Sequence, residues 1–210
     1  KIKNIFNINL NIFIRTILLT FSFLWFTYLG TQIGEDYVAA NAILINLVFL
    51  SAFILDAYAF STEGIVGYSL GKKDLNLFKN IVKNSFILSS ISGLIISIIF
   101  FFTNNLVINL MSDINEIREL SSSYAVWLII LPVISSFCYQ FDGIFIGASQ
   151  TKELRNAMIF SVFSYLLISI LLIKFLFNTG IWISLCIFMI LRAISLFYYL
   201  DKIYLRFRKN

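Results

Sequence analysis

The 210-residue sequence contains no histidine, one proline and two cysteines, and only 13% of its residues are charged, against roughly 25% in an ordinary soluble domain. Without histidine there can be no imidazole proton relay, no His-ligated metal and no Ser-His or Cys-His nucleophile. Cys138 and Cys186 lie in separate apolar runs, so neither a disulfide framework nor a zinc site is expected, and no metal is assigned. Gly67-Tyr68-Ser69-Leu70-Gly71 has the GxSxG spacing, but there is no histidine to activate its serine; no HExxH run occurs, and no pair of acids stands at a spacing that suits catalysis. An intramembrane enzyme is therefore not expected, nor any cofactor. The scarcity of charge excludes a soluble globular domain, a disordered chain and a nucleic-acid-binding protein.

What the sequence has in abundance is apolar surface: 60% hydrophobic residues, 23 of them phenylalanine, with a mean hydropathy of +0.90. A membrane span needs about 20 apolar residues, and six such stretches can be drawn, at approximately 10–29, 38–64, 81–102, 123–147, 157–177 and 181–200. A short amphipathic stretch follows the third, around Asp113 to Leu120. Asn178-Thr179-Gly180 leaves room only for a tight turn between the last two. The spacing predicts an all-α integral membrane protein, a single six-helix bundle over residues 1–210. The first residue, Lys1, is not a methionine, and the sequence reads as a piece of a longer frame.

Charge distribution orients the bundle. If the N-terminus is cytoplasmic, the inner segments hold twelve of the sixteen basic residues, from Lys1 and Lys3 through Lys72, Lys73, Lys79, Lys83, Lys152 and Arg155 to Lys209. The outer loops then hold Arg118 but five acids, Glu35, Asp36, Asp113, Glu116 and Glu119. This positive-inside asymmetry predicts a multi-pass protein of a bacterial-type plasma membrane with both termini cytoplasmic. The net charge of +5 is thus mainly a topology signal, with membrane lipid as the bland partner of the basic tail.

Charges inside spans are costly and mark functional positions by default. Arg15, Asp56, Asp142 and Arg192 each fall about 8–12 Å below the inner surface by the rise per residue. Two acids and two bases at one level can pair or line an aqueous cavity. Arg192 fits a structural ion pair. Gln140 and Gly143 flank Asp142 and suit a polar pocket, in which a carboxylate can exchange a proton, the requirement for a proton-coupled carrier. Glu63 opens a run containing Gly64, Gly67 and Gly71, a small-residue face expected to allow close helix packing. Pro132 is expected to kink the fourth span.

Three stretches carry a family resemblance. They are Ala39-Ala40-Asn41-Ala42 continuing through Leu55-Asp56-Ala57-Tyr58 to Glu63-Gly64-Ile65-Val66-Gly67; Phe141-Asp142-Gly143-Ile144-Phe145-Ile146-Gly147-Ala148 followed by Lys152-Glu153-Leu154-Arg155-Asn156-Ala157; and, more weakly, Ile14-Arg15-Thr16. Together they resemble the multidrug and toxic compound extrusion (MATE) family, within it the DinF-type branch. The resemblance implies one lobe of a twelve-helix transporter, helices seven to twelve, with the N-terminal lobe outside this chain. It also implies cation-coupled export of bulky, often cationic organic compounds by alternating access.

The resemblance places Asp142 at an acidic position that contributes to cation binding in some branches. Arg15 stands near a glutamate that helps bind sodium in another, which favours H+ over Na+ as the coupling ion. The candidate coupling and cavity residues are thus Asp142, Asp56, Arg15, Gln140, Asn41 and Glu63, with Arg192 as the structural pair and Pro132 as the kink. Function would require the N-terminal lobe or a second six-helix unit as partner. The alternatives are a lipid-linked precursor flippase of the same superfamily and a non-transporting membrane scaffold.

Overall fold

The computed structural model describes residues 2–208, and side chains from 5 to 207. Among them are six helices and no strand: α1 (Ile2–Thr31), α2 (Glu35–Gly71), α3 (Leu75–Met111), α4 (Asn115–Ser123), α5 (Val126–Gly147) and α6 (Thr151–Arg208). All but α4 are long and apolar enough to cross a membrane. The 37 residues of α2 and of α3 correspond to about 55 Å, well beyond a hydrocarbon core of about 30 Å. Both helices therefore run past the expected spans into the flanking layers.

The fifth and sixth expected spans are the two arms of α6, and the chain reverses between them at Phe177 (φ 47°, ψ −130°). Beyond it, Gly180 approaches Leu172 so closely that a Cβ would lie 2.5 Å from the Leu172 carbonyl oxygen. Further down, Tyr165 meets Phe188 with ring centroids 5.3 Å apart, and Lys202 pairs with Glu153 at 3.0 Å. The arms are thus antiparallel, and the turn begins one residue before the expected Asn178.

Turn chemistry explains the other reversals. Lys73 and Ser149 take left-handed conformations (φ 58° and 53°) just past α2 and α5. Asp74 N–H then bonds Ser69 O at 3.1 Å, and Gln150 N–H bonds Phe145 O at 2.9 Å, the six-to-one closure of a Schellman end. Asp74 also caps α3, its Oδ1 accepting from Leu77 N–H at 2.9 Å. At the opposite end Arg118 donates to the carbonyls of Ser112 (2.5 Å) and Asn109 (3.1 Å), satisfying the last turn of α3. The bundle therefore has a basic end, with the Lys72–Asp74 and Ser149–Gln150 turns, and an acidic end, with Glu35, Asp36, α4 and the Phe177 reversal.

Two apolar cores stack along the bundle. One, toward the acidic end, is built around Leu44, Leu55, Leu128, Trp182 and Phe188. The other, toward the basic end, is built around Phe78, Val66, Phe145, Leu196 and Ile203. Large side chains such as Phe53, Phe60, Phe102 and Phe163 remain exposed, as lipid-facing residues do when the solvent is hydrocarbon.

Candidate functional site

The seam between the two cores lies in α5, where Tyr139 belongs to the first and Phe141 and Ile144 to the second. Asp142 sits in that seam. Its position is set by backbone: Gly143 and Gly147 bring α5 against α2, where a Cβ at either position would overlap the carbonyls of Ala59 and Glu63 respectively. Close approach of this kind is how membrane helices associate without a hydrophobic drive between them. The small-residue face expected on α2 is thus supplied mainly by α5. A Cβ on Gly67 would lie 3.5 Å from the Gly147 carbonyl oxygen, an ordinary contact, while Gly64 and Gly71 face open space.

Asp142 is 4% exposed and accepts from two guanidinium groups on one oxygen. Arg15 of α1 and Arg192 of α6 both donate through Nη2 to Oδ2, the latter at 2.7 Å. Arg192 also points Nη1 at the Met189 sulfur (3.4 Å) and lies over the Phe188 ring (5.4 Å). Its side chain is 2% exposed, against 14% for that of Arg15, so Arg192 is the buried anchor and Arg15 the peripheral partner. Asp142 Oδ1, Arg15 Nε and Gln140 Nε2 are buried without a hydrogen-bond partner among the described residues. The unpartnered Asp142 Oδ1 and Arg15 Nε belong to one ion-paired cluster and mark a place where a further polar group can be accommodated.

The other sequence candidates lie at varied distances from this cluster. Asp56 is half-buried, forms no ion pair within 4 Å among the described residues, and lies in electrostatic range of Asp142, Arg15 and Arg192. Gln140, fully buried, accepts from the Thr62 hydroxyl at 3.0 Å and so ties α5 to α2, two residues before Asp142 in the chain. Glu63 serves through its backbone, as the surface Gly147 rests on; the structure does not bring its carboxylate into an ion pair among the described residues.

Asn41 is elsewhere. Its Nδ2 donates to Asn178 Oδ1 (2.6 Å), its Oδ1 accepts from Asn178 Nδ2 (3.1 Å) and Trp182 Nε1 (2.9 Å), and the trio locks α2 to the α6 reversal. Fifteen residues separate it from Asp56, about 22 Å along a helix, so it does not share a cavity with Asp142. Neither Asn178 nor Trp182 stands out in the sequence, since an amide at a turn and a tryptophan in an apolar run are ordinary there.

Pro132 is buried inside α5, which stays helical around it. The Ser97 hydroxyl of α3 donates to the nearby Ile129 carbonyl at 2.5 Å, compensating the hydrogen bonding disturbed by the ring. Gly93 lets α3 come close enough, a Cβ there lying 2.9 Å from the Pro132 oxygen.

The MatE family model matches residues 12–175, most of the chain, including Asp142 and the helices that present it. The chain belongs to the MatE family. Over 194 residues it is 31% identical to the DNA damage-inducible protein F of Escherichia coli K12, covering 92% of this chain and 42% of that one. Protein DETOXIFICATION 43 of Arabidopsis thaliana is 24% identical over 86% of this chain and 34% of its own. The chain thus spans less than half the length of the curated relatives it matches. Among solved structures, a MOP superfamily transporter from Pyrococcus furiosus superimposes with a TM-score of 0.83 at 21% identity, over 94% of this chain and 44% of that one. A MATE transporter of Vibrio cholerae in a bent form gives 0.79 at 18% identity, over 90% and 43%. The fold is that of about half a MATE transporter, an all-α membrane bundle.

Proposed function

We propose that this MatE chain is the C-terminal six-helix lobe of a cation-coupled efflux antiporter that exports organic compounds, often cationic, by alternating access, with H+ as the coupling ion. The basic end is cytoplasmic in this reading, both termini included, in a bacterial-type plasma membrane, and the partner is an N-terminal lobe or a second six-helix unit. The observation that carries it is the Asp142 carboxylate, buried between two cores, clamped by Arg15 and Arg192 on one oxygen and free on the other.

What favours a proton over sodium is the number of ligands: a proton needs only the one unpartnered carboxylate oxygen, Oδ1, whereas a sodium ion needs several oxygens around it. The two guanidinium groups oppose any incoming cation, so uptake accompanies withdrawal of one of them. Protonation removes the charge that holds both arginines. Arg192 keeps its sulfur and aromatic contacts, so the weaker-held Arg15 is the one released, with Asp56 as an acid in range to receive it. The two-state element is α1, whose position then follows the charge of Asp142.

The test is efflux of a fluorescent cationic dye from proteoliposomes carrying the intact protein, normalised to folded protein, under an imposed pH gradient or an imposed sodium gradient. Asp142→Asn is expected to abolish pH-driven efflux. Unchanged efflux in that variant, or efflux driven by sodium alone, overturns the coupling role.

A further inference from the structure

α3 and the C-terminal arm of α6 both pack on α5 and leave a furrow between them that the coupling scheme does not use. Its inner part, a cavity of about 460 Å³, is lined only by apolar groups, chiefly Val82, Phe86, Phe137, Phe141, Ile194 and Phe197. Phe86 stands 4.9 Å from Phe141, and Phe141 6.4 Å from Phe197, centroid to centroid, so the floor is a continuous aromatic wall. A second cavity of about 490 Å³ lies between Leu75, Lys79, Asp201, Tyr204 and Leu205. The two adjoin, since Lys79 is one helical turn from Val82 and Asp201 follows Leu200, which lines the first.

Chemistry changes where the membrane boundary should fall. Every residue of the apolar part lies inside the spans read from hydropathy, 81–102, 123–147 and 181–200. All those of the polar part lie just outside them. Lys79 and Asp201 face the same cavity yet form no ion pair within 4 Å among the described residues, and Tyr204 adds a hydroxyl at interfacial depth. A cation and an anion held apart over an apolar slot complement a zwitterion with a tail.

We propose that this furrow binds a phosphatidylethanolamine molecule of the adjacent leaflet, its phosphate on Lys79 and Tyr204, its ammonium on Asp201, and one acyl chain along Phe86, Phe141 and Phe197. Asp201 decides the class. A purely anionic lipid would meet an uncompensated carboxylate, while a primary ammonium donates to it. Lys202 does not enter, because it is committed to Glu153.

Native mass spectrometry of the intact, delipidated protein, offered phosphatidylethanolamine and phosphatidylglycerol with matched dioleoyl chains, tests this. Phosphatidylethanolamine should be retained preferentially. Lys79→Gln and Asp201→Asn should each lower its occupancy roughly two- to fivefold, the scale of a partly exposed ion pair. Ile194→Trp, which fills the slot without touching the headgroup residues, should lower retention of both lipids while the melting temperature holds. Equal retention of the two lipids, preference for phosphatidylglycerol, or an unaltered preference in Asp201→Asn overturns the proposal. A basic surface acting through charge alone would give the second of these.

Discussion

Removing the negative charge from the Asp142 cluster should destabilise the lobe far more than removing one of its positive charges. The cluster holds one carboxylate and two guanidinium groups converging on a single oxygen. Asp142→Asn keeps the volume and an acceptor oxygen but leaves two buried cations facing each other, with Arg192 almost wholly desolvated. Stripping the partner from a buried charge costs about 3–5 kcal/mol. For a chain of this length that corresponds to a melting shift on the order of 10 °C. Arg15→Leu instead leaves Asp142 and Arg192 as a neutral pair at 2.7 Å and deletes the partner that already reaches solvent, so its cost should be about 1 kcal/mol. The double variant should recover part of the Asp142→Asn loss, because it takes away one of the two orphaned cations. Thermal unfolding of the intact protein in detergent, followed by size-exclusion fluorescence, gives the ranking directly. If Arg15→Leu proves as damaging as Asp142→Asn, or if Asp142→Asn melts with the parent protein, the charge accounting is wrong.

Two further predictions concern backbone. Gly143→Leu must push α5 away from the Ala59 carbonyl and should cost about 3 kcal/mol or more, whereas Gly64→Ala, which meets nothing, should be neutral or slightly stabilising; equal melting of the two variants would refute the assignment of the close face to α5. Phe177 holds a left-handed conformation while its ring is largely exposed, so Phe177→Gly should relieve strain worth about 1 kcal/mol net of the entropy that glycine adds to the unfolded chain. A melting temperature lowered by that change would show that the ring packs against something the strain argument ignores.

Helix order and number were legible because hydrocarbon solvent imposes one rule on every span, and a 20-residue apolar run satisfies it whatever its neighbours. The limits of the helices were less so, since α2 and α3 continue past the bilayer boundary on local capping, where Asp74 and the Schellman ends act. The four intramembrane charges could be placed at one depth by counting residues, but counting carries no azimuth. It could not say that Arg15 and Arg192 both turn to Asp142 while Asp56 stands off. Asn41 shows the same limit from the other side: a polar residue in a family-like motif looked like a cavity lining, and its partners, Asn178 and Trp182, are more than 130 residues away in sequence. The glycines of α2 were misleading because spacing reveals a small-residue face without saying whether any helix uses it.

The placement of the charge cluster also follows from packing. Had Asp142 and Arg192 been set within either apolar core, their desolvation would have cost contacts on every side. At the seam they interrupt neither core. Among the long helices, α1 contributes fewest residues to the cores. An 18-residue stretch of it is 17% buried, near the 22% of α6 and 28% of α3 and far below the 67% of α5 and 50% of α2; besides the core contacts of Phe26 and Leu29, its inward ties include single polar bonds, Asn11 to Thr151 and Arg155, Arg15 to Asp142, and Trp25 to Ser169. By contrast α2, α3 and α5 are bound by glycine-mediated contact along their lengths. A change in the charge of Asp142 alters little of what holds those three together, yet it removes one of the few side-chain polar bonds between α1 and the rest of the bundle. The carboxylate thus stands where α5, within the closely packed α2–α3–α5 group, meets α1 and α6.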